Sequence, residues 1–298
     1  MVSFIDEHRA EYGVEPIGAQ RPIAPSVYYE PKARQSSPER LPPRARREAA
    51  WSAEIQRGYA ENFQGYGARQ VWLPRNRAGL AVARCTVERL MRVLRLQGVR
   101  RGKGCRTTIP DGSADRAELV NRQVTATRPN QRWGADCTYV ATWVGFVYVA
   151  FVIDGFARRL VGWRVARSMA TELVLDALEQ ALGSRAAPQE LVHHRDRGSQ
   201  YLSIRYSERL AEVGVEPAVG SGGDSYDNAL AETMIGLYKA EVIHHRGPWR
   251  NFDAVEYATL EWVDWYNNRR LLTSIGDIPP AEMEVAYHRQ QRESAMGV

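Results

Sequence analysis

Cysteine is scarce in this chain. Three in 298 residues, Cys85, Cys105 and Cys137, are odd in number and form no Cys-x-x-Cys pair. That excludes a disulfide-stapled scaffold and a cysteine-based zinc finger, and it fits a reducing, cytoplasmic setting. Long apolar runs are missing too. The longest, residues 146–153, has strand length, well short of the ~18–20 residues that span a bilayer, so no membrane partner is expected. The first nine residues, Met1 to Arg9, are too charged for the apolar core of a secretory signal. No internal repeat is evident, and no heptad pattern lasts three repeats.

What is present is ordinary for a globular chain: 44% hydrophobic and 25% charged residues, and a length that suits about two domains. The net charge of +5 conceals a division. Residues 1–130 carry 23 basic and 13 acidic side chains, whereas residues 131–298 carry 17 basic and 22 acidic. The stretch 69–106 alone holds eleven basic residues and one acid, Glu88. A basic first half suits a nucleic-acid surface, although a solvated basic face explains the excess equally well.

Residues 1–47 read as short helices followed by a linker over 32–47 that contains Pro38, Pro42 and Pro43. Residues 48–106 follow a helical pattern, with helices expected over 49–63, 66–75 (broken near Pro74) and 86–96 (N-capped by Thr86). Three short helices, the last rich in arginine, match the needs of a helix-turn-helix unit that presents Arg84, Arg89, Arg92 and Arg95 to DNA. The plain alternative is a helical bundle with a solvated face. Residues 107–130 read as a second linker, 131–285 as an α/β domain and 286–298 as a C-terminal tail. In that domain the runs 133–143, 146–154 and 160–167 predict an antiparallel meander. Helices over 171–183, 203–213, 227–244 and 253–268 alternate with short strands over 191–194 and 215–219, giving a mixed five-stranded sheet flanked by helices.

Three acids in the second half stand out. Asp136 lies inside the first strand, Asp196 follows the fourth strand, and Glu232 lies early in a helix. A carboxylate inside an otherwise apolar strand is costly to bury without a partner or a metal. Grouped carboxylates need a divalent cation to ionise together, and hard oxygen ligands suit Mg2+ or Mn2+. Taken singly, each acid has an ordinary explanation as an edge, turn or surface residue. Their spacing, 59 residues and then 35 between successive acids, goes beyond those explanations.

The words around these acids are Trp133-x-x-Asp136-x-Thr138-Tyr139-Val140, His194-x-Asp196-Arg197-Gly198-Ser199-Gln200-Tyr201 and Tyr226-Asp227-Asn228-Ala229-x-Ala231-Glu232. Further words are Tyr238-Lys239-x-Glu241, Trp265-Tyr266-Asn267-x-Arg269-Arg270 and Ile278-Pro279-Pro280-Ala281-Glu282, with Phe4-Ile5-Asp6 and Ile23-Ala24-Pro25-Ser26-x-Tyr28-Tyr29 upstream. Across nearly the whole chain the sequence resembles insertion-sequence transposases of the IS-three type, relatives of retroviral integrases. The resemblance implies an RNase H-like integrase core in which Asp136, Asp196 and Glu232 form a catalytic triad of metal ligands. It implies two-metal phosphoryl transfer with Mg2+ or Mn2+, acting on double-stranded DNA: the terminal inverted repeats of an element and a target. Lys239 matches a position that touches DNA near the scissile phosphate, and Asn228, Glu232 and Lys239 share one helix face by spacing. A homo-oligomer, at least a dimer on DNA, follows from the need to cut two ends together. The chain resembles the downstream-frame product, with an upstream-frame helix-turn-helix and leucine-zipper product as a further partner, in a bacterial nucleoid-associated setting.

Other residues have weaker expectations. His194 either contacts substrate beside Asp196 or packs in the core, and the glycine-rich stretch 220–225 is either a flap or a plain turn. Asp154 reads as a structural turn acid, His244 and His245 as a solvated helix end, and Trp249 as exposed. Two alternative functions remain at this level: an RNase H-like nuclease without strand transfer, and a non-catalytic DNA-binding assembly subunit.

Overall fold

A computed structural model of the protein describes residues 2–20, 24–36, 41–99, 126–185, 191–195, 204–219 and 225–296, of which 31, 34–36, 194–195, 216–219 and 225–228 are described by their backbone alone. Five strands build one sheet: β1 (Arg132–Thr142), β2 (Gly145–Asp154), β3 (Leu160–Ala166), β4 (Val192–Arg195) and β5 (Glu216–Val219). Their order across the sheet is β3-β2-β1-β4-β5. The first three form the expected antiparallel meander, while β4 runs parallel to β1 and β5 parallel to β4. A parallel return requires a crossover, and α7 (Thr171–Ser184) supplies it between β3 and β4. From Val149 onward β2 is buried on both faces, as its unbroken Val-Ala-Phe-Val-Ile run requires.

Each face of the sheet has its own core. On one side Trp133, Ala135, Ala150 and Val152 meet Leu173, Val174 and Leu178 of α7 and Tyr206 and Leu210 of α8 (Ile204–Glu212). On the other side Val140, Val149, Phe151 and Ile153 meet Ala231, Met234 and Tyr238 of α9 (Ser225–Tyr238) and Val255, Trp262 and Tyr266 of α11 (Phe252–Asn268). A π-helical turn (Lys239–Ile243) and the short α10 (His244–Arg246) join α9 to α11. Asn251 starts α11 by accepting a hydrogen bond from the Ala254 N–H at 3.1 Å. Asp154 is fully buried where β2 ends; its carboxylate accepts the N–H groups of Asn130, Phe156 and Ala157, so it is the structural turn acid expected. Burial pushes its pKa above the ordinary carboxylate value against those bonds.

The first half is helical: α1 (Val2–Tyr12), α2 (Val14–Gln20), α3 (Ser26–Ser36), α4 (Pro43–Glu61), α5 (Ala68–Arg77) and α6 (Arg84–Val93). Four local expectations change. The stretch expected as a linker is partly helical, because Pro43 at the first helical position costs no backbone hydrogen bond and starts α4 early. Pro74 does not break α5, which continues to Arg77. The cap of α6 is Ala83, not Thr86: the Val87 N–H already bonds the Ala83 carbonyl at 3.2 Å, so Thr86 lies inside the helix. The last helix, α12 (Pro280–Met296), runs through the residues expected as a tail, again opened by a proline. Among the described residues no helix is long and apolar enough to cross a membrane.

Gly162 in β3 is a point of forced closeness. A Cβ there would sit 2.1 Å from the Ala177 carbonyl oxygen of α7. Gly162→Ala is therefore expected to push α7 off the sheet and destabilise the protein by roughly 1–3 kcal/mol. Gly134→Ala, whose added Cβ meets ordinary contacts at 3.5 and 3.6 Å, serves as the tolerated control. Urea unfolding measures both, and equal stability of the two variants would contradict the close-approach argument.

Candidate functional site

Strand alternation places Gly134, Asp136, Thr138 and Val140 on the face of β1 that α9 covers. Gly134 lies directly under that helix, since the position of its missing Cβ is 3.6 Å from the Ala231 Cβ. Two residues along the same face, Asp136 is half-buried, pairs in register with Phe151 on β2 and accepts the Cys137 N–H at 2.7 Å. Glu232 follows Ala231 on α9 and is exposed. The contact between Ala231 and Gly134 thus brings the helix of one acid onto the strand of another.

Asp196 lies outside the described residues. The strand that leads to it is described: β4 pairs with β1 through Ala135 opposite Arg195. Asp136 and Asp196 are the next residues after those two in the chain. His194 lies opposite Gly134 in the same register, with its side chain outside the description. The buried core histidine is its neighbour His193, whose Nε2 is 2.7 Å from the Tyr206 hydroxyl. The glycine-rich stretch 220–224 also lies outside the described residues. Among the described residues no group of three metal-ligating side chains occurs.

Lys239 begins the π-helical turn immediately after α9, so helical spacing from Glu232 holds up to it and widens beyond. Its ammonium stands 5.6 Å from the centre of the Tyr139 ring on β1. Asn228 lies near the start of α9, described by its backbone alone.

The arginines on α6 and just after it divide into two kinds. Arg84 pairs with Glu88 one turn on, and Arg89 reaches across to Glu48 of α4 at 2.7 Å. Hydrogen bonds from Arg44 and Arg89 hold the Glu48 carboxyl below the ordinary carboxylate range. Arg89 therefore helps dock α6 on α4. Arg92 and Arg95 are exposed, and among the described residues they have no carboxylate partner. They border a groove of about 980 Å3 that runs from Gly67 and Gln70 to Val99.

Comparison with known proteins gives this arrangement a family. An integrase core domain model matches residues 126–225 and a second one residues 213–280, and an HTH-like domain model matches residues 45–104. The chain is 54% identical over 288 residues to the transposase for insertion sequence element IS629 of Shigella sonnei, covering 97% of each chain. It is 54% identical over 282 residues to a putative transposase for insertion sequence element IS986/IS6110 of Mycobacterium tuberculosis, covering 93% of this chain and all of that one. The chain belongs to the insertion-sequence transposases with an integrase core. Among solved structures, a simian T-cell lymphotropic virus intasome in complex with a PP2A regulatory subunit matches with a TM-score of 0.45 at 14% identity, over 74% of this chain and 70% of that one.

In this transposase one buried ion pair stood in the sequence only as parts of motif words, without a role. Glu241 in the π-helical turn and Arg270 just past α11 are both buried and paired, Arg270 Nε donating to Glu241 Oε1 at 3.2 Å. The Trp262 indole N–H donates to Glu241 Oε2 at 3.0 Å. Burial opposes the Arg270 charge, but Glu241, with Tyr266 and Tyr66, outweighs it and leaves the guanidinium above its usual pKa. The pair extends into the helical half. The Tyr66 hydroxyl accepts the Leu271 N–H at 3.4 Å, and burial pushes that hydroxyl up to about 12. Nearby, the Trp265 indole donates to Asn62 at 2.9 Å, and Arg69 and Arg77 reach Asp277 and Glu282. Two charged residues inside helix-forming, aromatic-rich words were the available signal, since such charges persist in a core only when paired. Trp249, expected exposed, is buried instead, because its indole N–H reaches back to the Ile243 carbonyl at 3.0 Å.

Removing one partner of this pair strands the other. Glu241→Leu is expected to cost about 3–5 kcal/mol, and adding Arg270→Met is expected to recover most of that loss. Denaturant unfolding of the single and double variants measures it. A single variant within about 1 kcal/mol of the parent would mean that the pair is not a structural constraint on the fold.

Proposed function

We propose that this transposase cuts the ends of its element and joins them to target DNA through an Asp136, Asp196 and Glu232 triad that binds two divalent cations. The observation that carries the reading is the packing of Ala231 on Gly134, which sets the Glu232 helix on the strand and face that hold Asp136. The donor set fits magnesium or manganese: it is all carboxylate oxygen, and Asp136 is a half-buried acid beside Phe151 in an apolar strand. Bound there, such ions supply charge neutralisation at the attacking and leaving oxygens of an in-line phosphoryl transfer.

The chain's own residues do the positioning. Asp136 is fixed by the sheet, and its Oδ1 is oriented by the Cys137 N–H. Glu232 enters from the solvent side of α9. Lys239 and Asn228 hold a DNA phosphate beside the acids, with His194 a further substrate contact on the strand that leads to Asp196. No side-chain nucleophile is needed, because water and then a DNA 3′-hydroxyl attack directly. The helical half grips the terminal repeats through Arg92 and Arg95, while Arg84 and Arg89 act in part by bracing α6. The working unit is at least a dimer on DNA, assisted by the upstream-frame product, in the cytoplasm on nucleoid DNA. The units are a helical segment and linker over 1–47, the DNA-binding domain over 48–106, a linker over 107–130, the catalytic core over 131–285 and a tail over 286–298.

Two measurements test this reading. With labelled element ends and Mg2+ or Mn2+, joined products should form, and Asp136→Asn, Asp196→Ala or Glu232→Gln should each reduce them by roughly a hundredfold or more, since even outer-shell changes at metal sites cost ten- to a hundredfold. Nicking without joining would favour the nuclease, and end binding without metal-dependent chemistry would favour the assembly subunit. In binding assays Arg92→Ala with Arg95→Ala should weaken end binding and flatten its salt dependence by about one unit of slope for each phosphate no longer neutralised. Unchanged affinity and slope would remove α6 from the DNA interface.

A further inference from the structure

Beyond the acids, the later part of β1 carries a surface with no assigned role. Among the described residues β4 pairs with β1 as far as Ala135. Past that point β1 and the π-helical turn border a groove of about 530 Å3, lined by Tyr139, Trp143, Lys239, His244, Pro248 and Trp249 among others. Its far end is closed by the backbone, where the Trp143 N–H donates to the Trp249 carbonyl at 3.1 Å.

The aromatic residues of this hairpin are unusually exposed: Tyr139 58%, Trp143 68% and Phe146 57%. Tyr139 and Phe146 stand edge to face at 5.5 Å, which holds the Tyr139 ring in place. Cations sit over two of the rings, Lys239 over Tyr139 at 5.6 Å and Arg250 over Trp143 at 5.8 Å. No carboxylate lines the groove among the described residues. In a domain with a net negative charge, a strip of exposed rings accompanied only by cations and leading away from Lys239 is complementary to a ligand with flat apolar faces and a polyanionic backbone.

We propose that this groove is a stacking platform for unpaired nucleotides of DNA, with Tyr139 and Trp143 receiving base faces and Lys239 and Arg250 the flanking phosphates. Paired bases in a duplex have their faces covered by their neighbours, so exposed rings recognise only bases freed from the stack. The groove adjoins the Glu232 helix through Lys239, which places those nucleotides next to the phosphate at which the proposed triad acts. A protein partner on the same hairpin would find apolar area, but the groove offers it cations without a matching acid among the described residues. The inference rests on the reading of the chain as a transposase of DNA ends, and it adds that the ends or target are held partly unpaired.

The test uses the full-length protein and element-end oligonucleotides, either fully paired or with a short unpaired tail carrying 2-aminopurine. The parent protein is expected to bind the tailed end roughly tenfold more tightly than the paired end, as stacking on one or two rings allows, and to quench the tail's fluorescence. Tyr139→Leu with Trp143→Leu should abolish both the preference and the quenching while leaving affinity for the paired end within about twofold. Trp143→Phe, which keeps a ring, should retain the quenching. Since both positions are exposed, unchanged thermal unfolding should accompany both variants. Equal affinity for both ends, or quenching that survives the double leucine variant, would overturn the platform while leaving strand transfer standing. A double variant that changes the oligomeric mass but not the quenching would assign the hairpin to a protein contact and likewise overturn it. No binding to either end and no strand transfer would overturn the transposition reading itself.

Discussion

The buried Glu241–Arg270 pair is the constraint on which the arrangement of this transposase depends. A carboxylate and a guanidinium removed from water hold their charges only while they face each other and their remaining hydrogen bonds are met. Glu241 meets that demand with Arg270 and the Trp262 indole. Because Glu241 belongs to the π-helical turn that continues α9, the helix of Glu232 and Lys239 cannot rotate or slide without breaking the pair. Arg270 follows α11, and its neighbour Leu271 donates its N–H to the Tyr66 hydroxyl, so the pair anchors the Glu232 helix at the place where the second half meets the helical first half.

The sheet supplies the second constraint. α9 lies on β1 with the Ala231 Cβ 3.6 Å from where a Cβ would stand at Gly134, and that packing sets the Glu232 helix on the strand of Asp136. On the opposite face Gly162 lets α7 approach more closely than a side chain would permit, and α7 is the crossover that makes β4 return parallel to β1. One crossing thus brings the helix of an acid to β1, and the other sets the direction of β4. The charge division has a matching logic. The basic half keeps Arg92 and Arg95 free among the described residues and uses Arg89 for its own packing, so a high arginine count overstates the number of residues available to DNA.

Much of this was legible in the chain itself. The meander, the alternation of later helices and strands, and the three spaced acids follow from period-two burial, helical spacing and the cost of a carboxylate in an apolar strand. Less legible were features that depend on distant partners. Thr86 looked like a cap by its side chain, yet the backbone of Ala83 had already begun the helix. Pro74 looked like a breaker, yet the helix runs on to Arg77. Trp249 looked exposed beside Gly247 and Pro248, yet it folds back on Ile243. In each case the local residue carries a preference worth at most a few kcal/mol, and packing elsewhere outweighed it.

The sequence by itself therefore determined the class of fold, because hydrophobic period is a local, additive signal, and its motif words determined the family. Only the tertiary structure decided which charges are spent on packing and which face outward. Glu241 and Arg270 read as two more polar residues until their burial made them a single pair. Tyr139, Trp143 and Phe146 are parts of apolar strand words, and only the fold shows that their rings stand in solvent. Burial is set by residues far apart in the chain, and whether a charge braces the fold or meets a ligand depends on that burial.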